Sequence, residues 1–512
     1  MRQQKTQKKT VFILFAPKFC EFGVDVVKQL IKKDSQVQIG ALCNGGKEVV
    51  DYVKNAIEPK RLLDVWDLEY EETKWFDNKQ STDSHSYVKV DELLGLNAMS
   101  DIITSDRRIG AGFVRGGLVR PDPLKKHALN DKLTVPPRFV TNLVSFMQDL
   151  IEEHQPGCVF CYAVAGSIAV TLGKLCDTYQ VPFLCLTPTR IKNHYIVDDS
   201  FKGDMVPVRE TFENGNIDDA FIKEAQNYIE EYRTKSVEPE YMKFNKKELK
   251  KNKLIKLGLK FFLHNVLFPI RSILPKNIKY KLTKKKYKHS FFNLVIEFKK
   301  FVFIKYQFDD LPSSNNDFIF YPLHVDPEAS TMVLSPMHTD QISVIEALAK
   351  SLPADTCLVV KEHLPMLGKR PRSFYKAIKQ MPRVHLVSPY HDSKKLINQS
   401  KAVAVITGTA ALEAMLLQKK PLIIGNSPCF IMRQGYKYES SLANLPNAIS
   451  ELDSINSVTE DTLIRFVASI LACSFEIEAS LLWGEYHNHA YDRRLDVCDK
   501  IAGKIYGKIN TK

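Results

Sequence analysis

Short apolar runs alternate with amphipathic segments in two separate blocks of this chain, and few folds accommodate that pattern. From residue 11 to about 200, VFILFA, VQIGALC, CVFCYAV and VPFLCLT read as buried strands. FGVDVVKQLIKK, FVTNLVSFMQDLIEEH and SIAVTLGKLCDTY read as helices among them. The rhythm returns at Phe318 with FIFYPL, CLVVKEHL, VHLVSP, AVAVIT and PLIIG, separated by QISVIEALAKSL, SFYKAIKQM, SKKLINQS and TAALEAMLLQ. Strands too apolar to keep a wet face, each followed by a helix, pack as a parallel sheet covered on both sides. The chain is therefore expected to be α/β, with two Rossmann-like domains facing a cleft. Its 512 residues are too many for one ordinary core, which agrees with that count.

Boundaries follow from where the rhythm stops. Residues 1–200 form the first expected domain and 316–460 the second, with 461–512 a helical tail packing back on the first. The stretch from about 70 to 135 is polar and Gly-rich, and reads as a helical insertion followed by a loop at GAGFVRGG. Between the domains, 201–315 is helical in pattern and rich in lysine. From Lys243 to Lys305 there are 19 Lys or Arg against two acids, Glu248 and Glu297, a local balance of +17. The rest of the chain thus carries −4 of the total +13. Within this insert Leu254, Leu257, Phe261 and Phe262 interleave with Lys253, Lys256 and Lys260. Such a stretch can lie at an anionic membrane surface with its lysines among the headgroups. It can equally be a packed helix pair with a solvated basic face. Nucleic acid is not expected as a partner, since no motif for it accompanies the charge.

Other classes are disfavoured by what is missing from the sequence. No run approaches the ~20 apolar residues of a membrane span, and VFILFA is too short for a signal-peptide core. The ten cysteines lie mostly in apolar contexts, and the Cys158–Cys161 pair has no second pair at zinc spacing. Buried thiols in a reducing, cytoplasmic compartment are expected, with no metal or cofactor. No GxGxxG or GxxxxGK fingerprint argues for NAD or ATP chemistry.

In sheets of this kind ligands bind beyond the carboxyl ends of the strands, so the loops there hold the candidates. After AVAVIT, the Thr407-Gly408-Thr409 turn opens a helix, where free N–H groups and the helix dipole favour an anion. Glu413, one turn deeper, can accept hydrogen bonds from ribose hydroxyls. The alternative is an ordinary βαβ crossover with a threonine cap. After CLVVK, Lys361 and His363 can neutralise phosphate. After FIFYPL comes His324-Val325-Asp326-Pro327-Glu328. Its two carboxylates, Asp326 and Glu328, suit a base, a nucleophile or a hydroxyl anchor, or else cap the turn around Pro327. In the first domain Glu21, Asp25 and Arg190 are candidates for the acceptor side, Arg190 also for a phosphate or a sugar carboxylate.

These residues carry a resemblance. YPLHVDPEASTMVLSP, TDQISVIEALAKSLP, VVKEHLP and VITGTAALEAMLLQKKPLIIG resemble the bacterial capsule polysaccharide biosynthesis family, and CVFCYAVAGSIAVTL and VPFLCLTPTRI do so less specifically. The resemblance implies a GT-B fold, a cytoplasmic setting and a part in capsule sugar transfer. Some relatives transfer Kdo, an acidic sugar carried on CMP, and use a His-Pro pair against the nucleotide phosphate. This chain has His363-Leu364-Pro365, with Leu364 inserted.

The leading expectation is a glycosyltransferase of surface polysaccharide synthesis, peripheral on the inner face of the membrane. It would take a nucleotide-sugar donor and a glycan or glycolipid acceptor. Glu328 or Asp326 would be catalytic, and Lys361, His363, Thr407, Gly408, Thr409 and Glu413 would bind the donor. A UDP-sugar epimerase, a teichoic-type polyol-phosphate transferase and a non-catalytic capsule-assembly scaffold stay open as alternatives.

Overall fold

The computed structural model describes residues 9–77, 85–110, 114, 135–235, 308–313, 317–482 and 491–510. The Lys-rich stretch 243–305, with its membrane reading, lies outside these residues, as does most of the GAGFVRGG loop.

The first sheet is built from β1 (Thr10–Phe15), β2 (Gln38–Cys43), β3 (Leu62–Asp67), β4 (Cys158–Cys161), β5 (Phe183–Pro188) and β6 (His194–Asp198), with a late strand β13 (Phe475–Glu476). Its order is β13-β6-β5-β4-β1-β2-β3, parallel from β5 through β3 and antiparallel at β6 and β13. The central strand β1 is buried at every position, as an all-apolar run flanked by two partners must be. The second sheet holds β7 (Asp317–Pro322), β8 (Thr356–Lys361), β9 (Val384–Val387), β10 (Ala402–Val405), β11 (Pro421–Ile423) and β12 (Lys437–Tyr438). Its order is β12-β11-β10-β7-β8-β9, parallel throughout.

Renumbered from its own first strand, the second sheet reads 3-2-1-4-5-6, and the parallel part of the first reads 3-2-1-4-5. Both are the doubly wound order. Each has a switch point where consecutive crossovers diverge to opposite faces: between β1 and β4 in one sheet, between β7 and β10 in the other. The loops at a switch point splay apart and leave a crevice.

Apolar side chains cover both faces of each sheet. A further cluster joins the two halves of the chain. Ile191, Val208 and Ile229 pack there with Leu412, Met415 and Ile423, and with Phe466 and Ile470 of the Glu460–Cys473 helix. The Asp219–Thr234 helix is pinned at its end: Arg233 forks onto Glu460 at 2.8 and 2.9 Å and donates to the Leu416 carbonyl at 2.7 Å. Lys394 caps the same end through the carbonyls of Arg233 and Lys235, at 2.9 and 2.8 Å. The Tyr491–Asn510 helix lies instead along the Cys20–Lys33 helix, burying Val497, Ile501 and Ile505 against Val26, Val27 and Leu30.

Among the described residues no helix is long and apolar enough to cross a membrane. All ten cysteines are free thiols, nine of them buried, and burial raises the Cys20 and Cys43 thiols to about 12. Cys158 and Cys161 lie inside β4 in the core, so they pack as apolar residues.

Candidate functional site

The switch point of the second sheet places the loop after β7 beside the turn after β10. Arg370, with no exposed side-chain surface, organises the first of these. Its Nη1 donates to Asp326 Oδ2 at 2.9 Å, its Nε to Glu362 Oε2 at 3.0 Å, and its Nη2 to the His324 carbonyl. Gln341 completes the frame, accepting from the His324 N–H at 2.8 Å and donating to Asp326. Tyr375 donates to Glu362 at 2.7 Å, and the other oxygen of Glu362 accepts the His363 N–H at 2.6 Å. Buried charges persist only when paired and hydrogen-bonded, and this network satisfies both conditions. Asp326 is 2% exposed and its oxygens are spent on Arg370, Gln341 and Thr331. The catalytic expectation for Asp326 thus gives way to a framework role, because a general base needs a free lone pair facing the reactants.

Glu328 differs. Its side chain reaches solvent and accepts from Ser330 Oγ at 3.1 Å. Surrounding protein nevertheless desolvates it enough to raise its pKa, against the opposing pull of Arg107 and Arg190. Arg190 comes from the other sheet, at the tight turn between β5 and β6 that Thr189 closes by donating to the His194 carbonyl at 3.0 Å. Its φ of +70° lies in the left-handed region, which a non-glycine residue occupies at a cost of about 1 kcal/mol or more. Burial lowers the Arg190 pKa, while Cys429 and Glu328 of the second domain raise it. One guanidinium from the first sheet and one carboxylate from the second thus lie within electrostatic reach of each other.

The Thr-Gly-Thr turn is arranged differently from its sequence expectation. The Thr407 N–H donates to His324 Nε2 at 3.2 Å, and its hydroxyl to the Ser330 carbonyl at 2.7 Å. Neither donor is left for phosphate. Gly408 allows this approach: a Cβ there would stand 3.3 Å from His324 Nε2 and 3.1 Å from Val405. Thr409 is exposed at the start of the Ala410–Leu416 helix and hydrogen-bonds Glu413. Glu413 is part-buried, and desolvation raises its pKa while Lys361 and Thr409 oppose. Tyr228 and Tyr232, on the helix joining the domains, both feel the Glu413 charge. Lys361 is buried and donates to Ser393 Oγ at 2.6 Å. Burial, then Lys361 and Arg370, bring His363 down to about 4, so its imidazole is neutral near pH 7. Lys361, Thr409 and Glu413 are therefore coupled to one another, and Arg190 is coupled to both Glu328 and His324.

Glu21 and Asp25 stand elsewhere. Asp25 is 6% exposed and pairs with Arg494 of the C-terminal helix at 2.7 Å, and Glu21 lies 3.9 Å from the same guanidinium. The acceptor expectation for them gives way to helix docking, since their charges face Arg494. Sequence reasoning passed over His324, Arg107 and Arg370 as site residues. His324 carried a signal, being the first residue after the strand in a loop already singled out; Arg107 and Arg370 carried none. Among the described residues no cluster of three or more His, Cys, Asp or Glu could hold a metal ion.

Residues 271–450 match the model of the family described as capsule polysaccharide biosynthesis protein. This is the family that the sequence resembles at YPLHVDPEAST and VITGTAALEAM. No curated protein matches the chain. Solved structures similar to it include the KpsC beta Kdo 2,7 transferase of Thermosulfurimonas dismutans, at 13% identity and TM-score 0.34 over 65% of this chain and 83% of that one. Another is the UDP-GlcNAc 2-epimerase of Neisseria meningitidis bound to UDP-GlcNAc, at 13% identity and TM-score 0.26 over 97% and 100%. A third is MnaA of S. aureus with UDP, at 11% identity and TM-score 0.23 over 95% and 97%.

Proposed function

We propose that this chain is a nucleotide-sugar-dependent glycosyltransferase of surface polysaccharide synthesis. The observation that carries the reading is the electrostatic coupling of Arg190, from the first sheet, to Glu328, from the loop after β7. Sugar transfer makes two demands. The leaving nucleotide phosphate takes the bonding pair from the anomeric carbon and needs a cation, and the attacking acceptor hydroxyl must lose a proton. Arg190 meets the first demand, and Arg107, which also acts on Glu328, adds its charge. Glu328 meets the second, and its raised pKa makes it a better proton acceptor near neutral pH than an ordinary glutamate. Lys361, Thr409 and Glu413 hold the nucleoside end, Glu413 through the ribose hydroxyls. The acceptor enters on the first-domain side, where Arg107 and Arg190 stand.

The test is incubation with CMP-, UDP- and GDP-sugars and capsule-type glycan or glycolipid acceptors. Acceptor-dependent nucleotide release with a new glycosidic product is expected. No transfer across the panel would refute the reading. Acceptor-independent conversion of a UDP-sugar, followed by NMR, would make the chain an epimerase, and phosphate in the product a polyol-phosphate transferase.

The Lys-rich segment 243–305 supports work at the inner membrane face, its +17 balance sufficing to attract anionic lipid. A chain lacking 243–300 should no longer sediment with anionic liposomes. Unchanged binding refutes the membrane part alone.

A further inference from the structure

The Asp219–Thr234 helix belongs to the first half of the chain but ends on the second domain, against the Ala410–Leu416 helix that carries Glu413. Arg233 and Lys394 pin its last turn there. Tyr228 and Tyr232 stand one turn apart on it, with ring centroids 6.5 Å apart and planes tilted by 37°. Both pack on the apolar cluster that includes Leu412 and Met415, which flank Glu413. A lysine stands by each ring: Lys394 at 5.5 Å from the Tyr232 centroid, Lys192 at 5.6 Å from that of Tyr228. Both tyrosines are only part-buried all the same. Leucine would serve the apolar contact as well; a part-open ring adds a π surface at the rim.

This aromatic pair is tied to the cation of the site. Lys394 donates to the Tyr232 carbonyl, and its neighbour Ser393 accepts from Lys361 Nζ at 2.6 Å. Tyr232 and Lys361 are thus fastened to consecutive residues. Glu413 is their common neighbour, interacting with Lys361 and with both tyrosines. A nucleotide carries an anionic group, a ribose diol and a flat ring, joined in that order. Lys361, Glu413 and the tyrosine pair supply a cation, a hydroxyl acceptor and an aromatic wall to match.

We propose that Tyr228 and Tyr232 form the wall against which the nucleobase of the sugar nucleotide packs, while Glu413 takes the ribose. This placement rests on the reading of Lys361, Thr409 and Glu413 as the nucleoside end, and it holds whatever the acceptor. Every base has a π face, so the wall adds affinity and leaves the choice among cytosine, uracil and guanine to other groups. The wall comes from one half of the chain and the rest of the nucleoside site from the other, so a bound nucleotide touches both.

Calorimetric binding of CMP, UMP and ribose 5-phosphate to wild type, Y228L, Y232L and Y232F tests the wall. Ribose 5-phosphate keeps the phosphate and the diol but has no base. Wild type should bind CMP and UMP about tenfold or more tightly than ribose 5-phosphate. Y232L should lose most of that margin and Y228L part of it, with the affinity for ribose 5-phosphate unchanged in both. Y232F keeps the ring and should bind all three ligands as wild type does. In wild type, the tyrosine ring protons should shift upfield in NMR spectra with CMP and stay in place with ribose 5-phosphate. Unchanged CMP and UMP binding in both leucine variants overturns the proposal. A loss shared equally by ribose 5-phosphate also overturns it, since the tyrosines would then only prop the helix. Should Y232L fail to fold, the wild-type ring shifts decide, and their absence with CMP overturns the wall. A wild type that binds no nucleotide overturns the wall and the nucleotide-sugar reading together. Base-dependent binding without transfer to any acceptor sustains the wall and sinks the transferase reading alone.

Discussion

Replacing Arg370 by methionine should cost the second sheet far more than any surface charge change. The substitution fills much of the same volume, but leaves Asp326 and Glu362 without their shared countercharge, where neither has exposed side-chain surface. Removing one partner from a buried pair typically costs about 3–5 kcal/mol, most of it for the stranded charge. Three hydrogen bonds disappear together: one to each carboxylate and one to the His324 carbonyl. Taking about 4 kcal/mol, protection against hydrogen exchange should fall about a thousandfold at 1.4 kcal/mol per decade. The readout is exchange by mass spectrometry in peptides covering β7 and β8, with β1 as an internal control. The loss should depend on pH. Burial already raises the Asp326 pKa against the pull of Arg370, so without Arg370 it stands further above its unfolded value and the folded variant binds more protons than the unfolded one. Stability then falls as pH rises through that window. The deficit against wild type should therefore be smaller at pH 5 than at pH 8. A deficit that is absent, spread equally over both sheets, or larger at pH 5 refutes the assignment of Arg370 as the buried countercharge.

Three further outcomes follow from the site. E328Q should cut turnover by about 10²–10⁴-fold while changing nucleotide affinity less than about threefold. Because the Glu328 pKa is raised, wild-type rate should fall on acidification through a value above that of an ordinary glutamate, and E328Q should lack this limb. R190K keeps the charge but loses the planar fork, so CMP or UDP affinity should drop about tenfold by calorimetry with the melting temperature unchanged. T407V strips the hydroxyl from the Ser330 carbonyl and should destabilise by about 1–3 kcal/mol in denaturant unfolding. It keeps the backbone N–H on His324, so the histidine 15N pattern should not move.

The central strands were legible because burial on both faces forces continuous apolar runs. VFILFA, CVFCYAV, FIFYPL and AVAVIT each coincide with a strand of the structure to within a residue or two at its ends, CVFCYAV running three residues past Cys161. Strands at the margins were not. β3 reads LLDVWD, with Asp64 and Asp67 breaking the run, because it closes one edge of its sheet and is only part-buried. β6 and β13 are short and antiparallel, and no βα rhythm announces them. The polar stretch after β3 holds the helices Leu68–Asp77, His85–Leu94 and Ala98–Ser105. Their signal was weak because only part of each is covered, as where Trp75 and Phe76 meet Phe139.

The site was legible by place and not by role, and the reason is the same for each residue that changed part. Asp326 and Glu328 are two positions apart in one loop, and nothing local separates them. Their difference is made by Arg370, 44 residues beyond Asp326, and by Arg190 from the other sheet. The carboxylate facing the buried guanidinium became framework; the other stays exposed, accepting only from Ser330 among the hydrogen bonds described. The Thr-Gly-Thr turn obeys the same rule. Its glycine announced that something approaches the backbone closely, and its free N–H that something accepts from it. Both statements hold, but the acceptor is His324 Nε2, brought there by strand order. A motif fixes what a segment can offer, while the topology fixes what takes the offer. In a doubly wound sheet the strand that decides is the one across the switch point, here β7 beside β10.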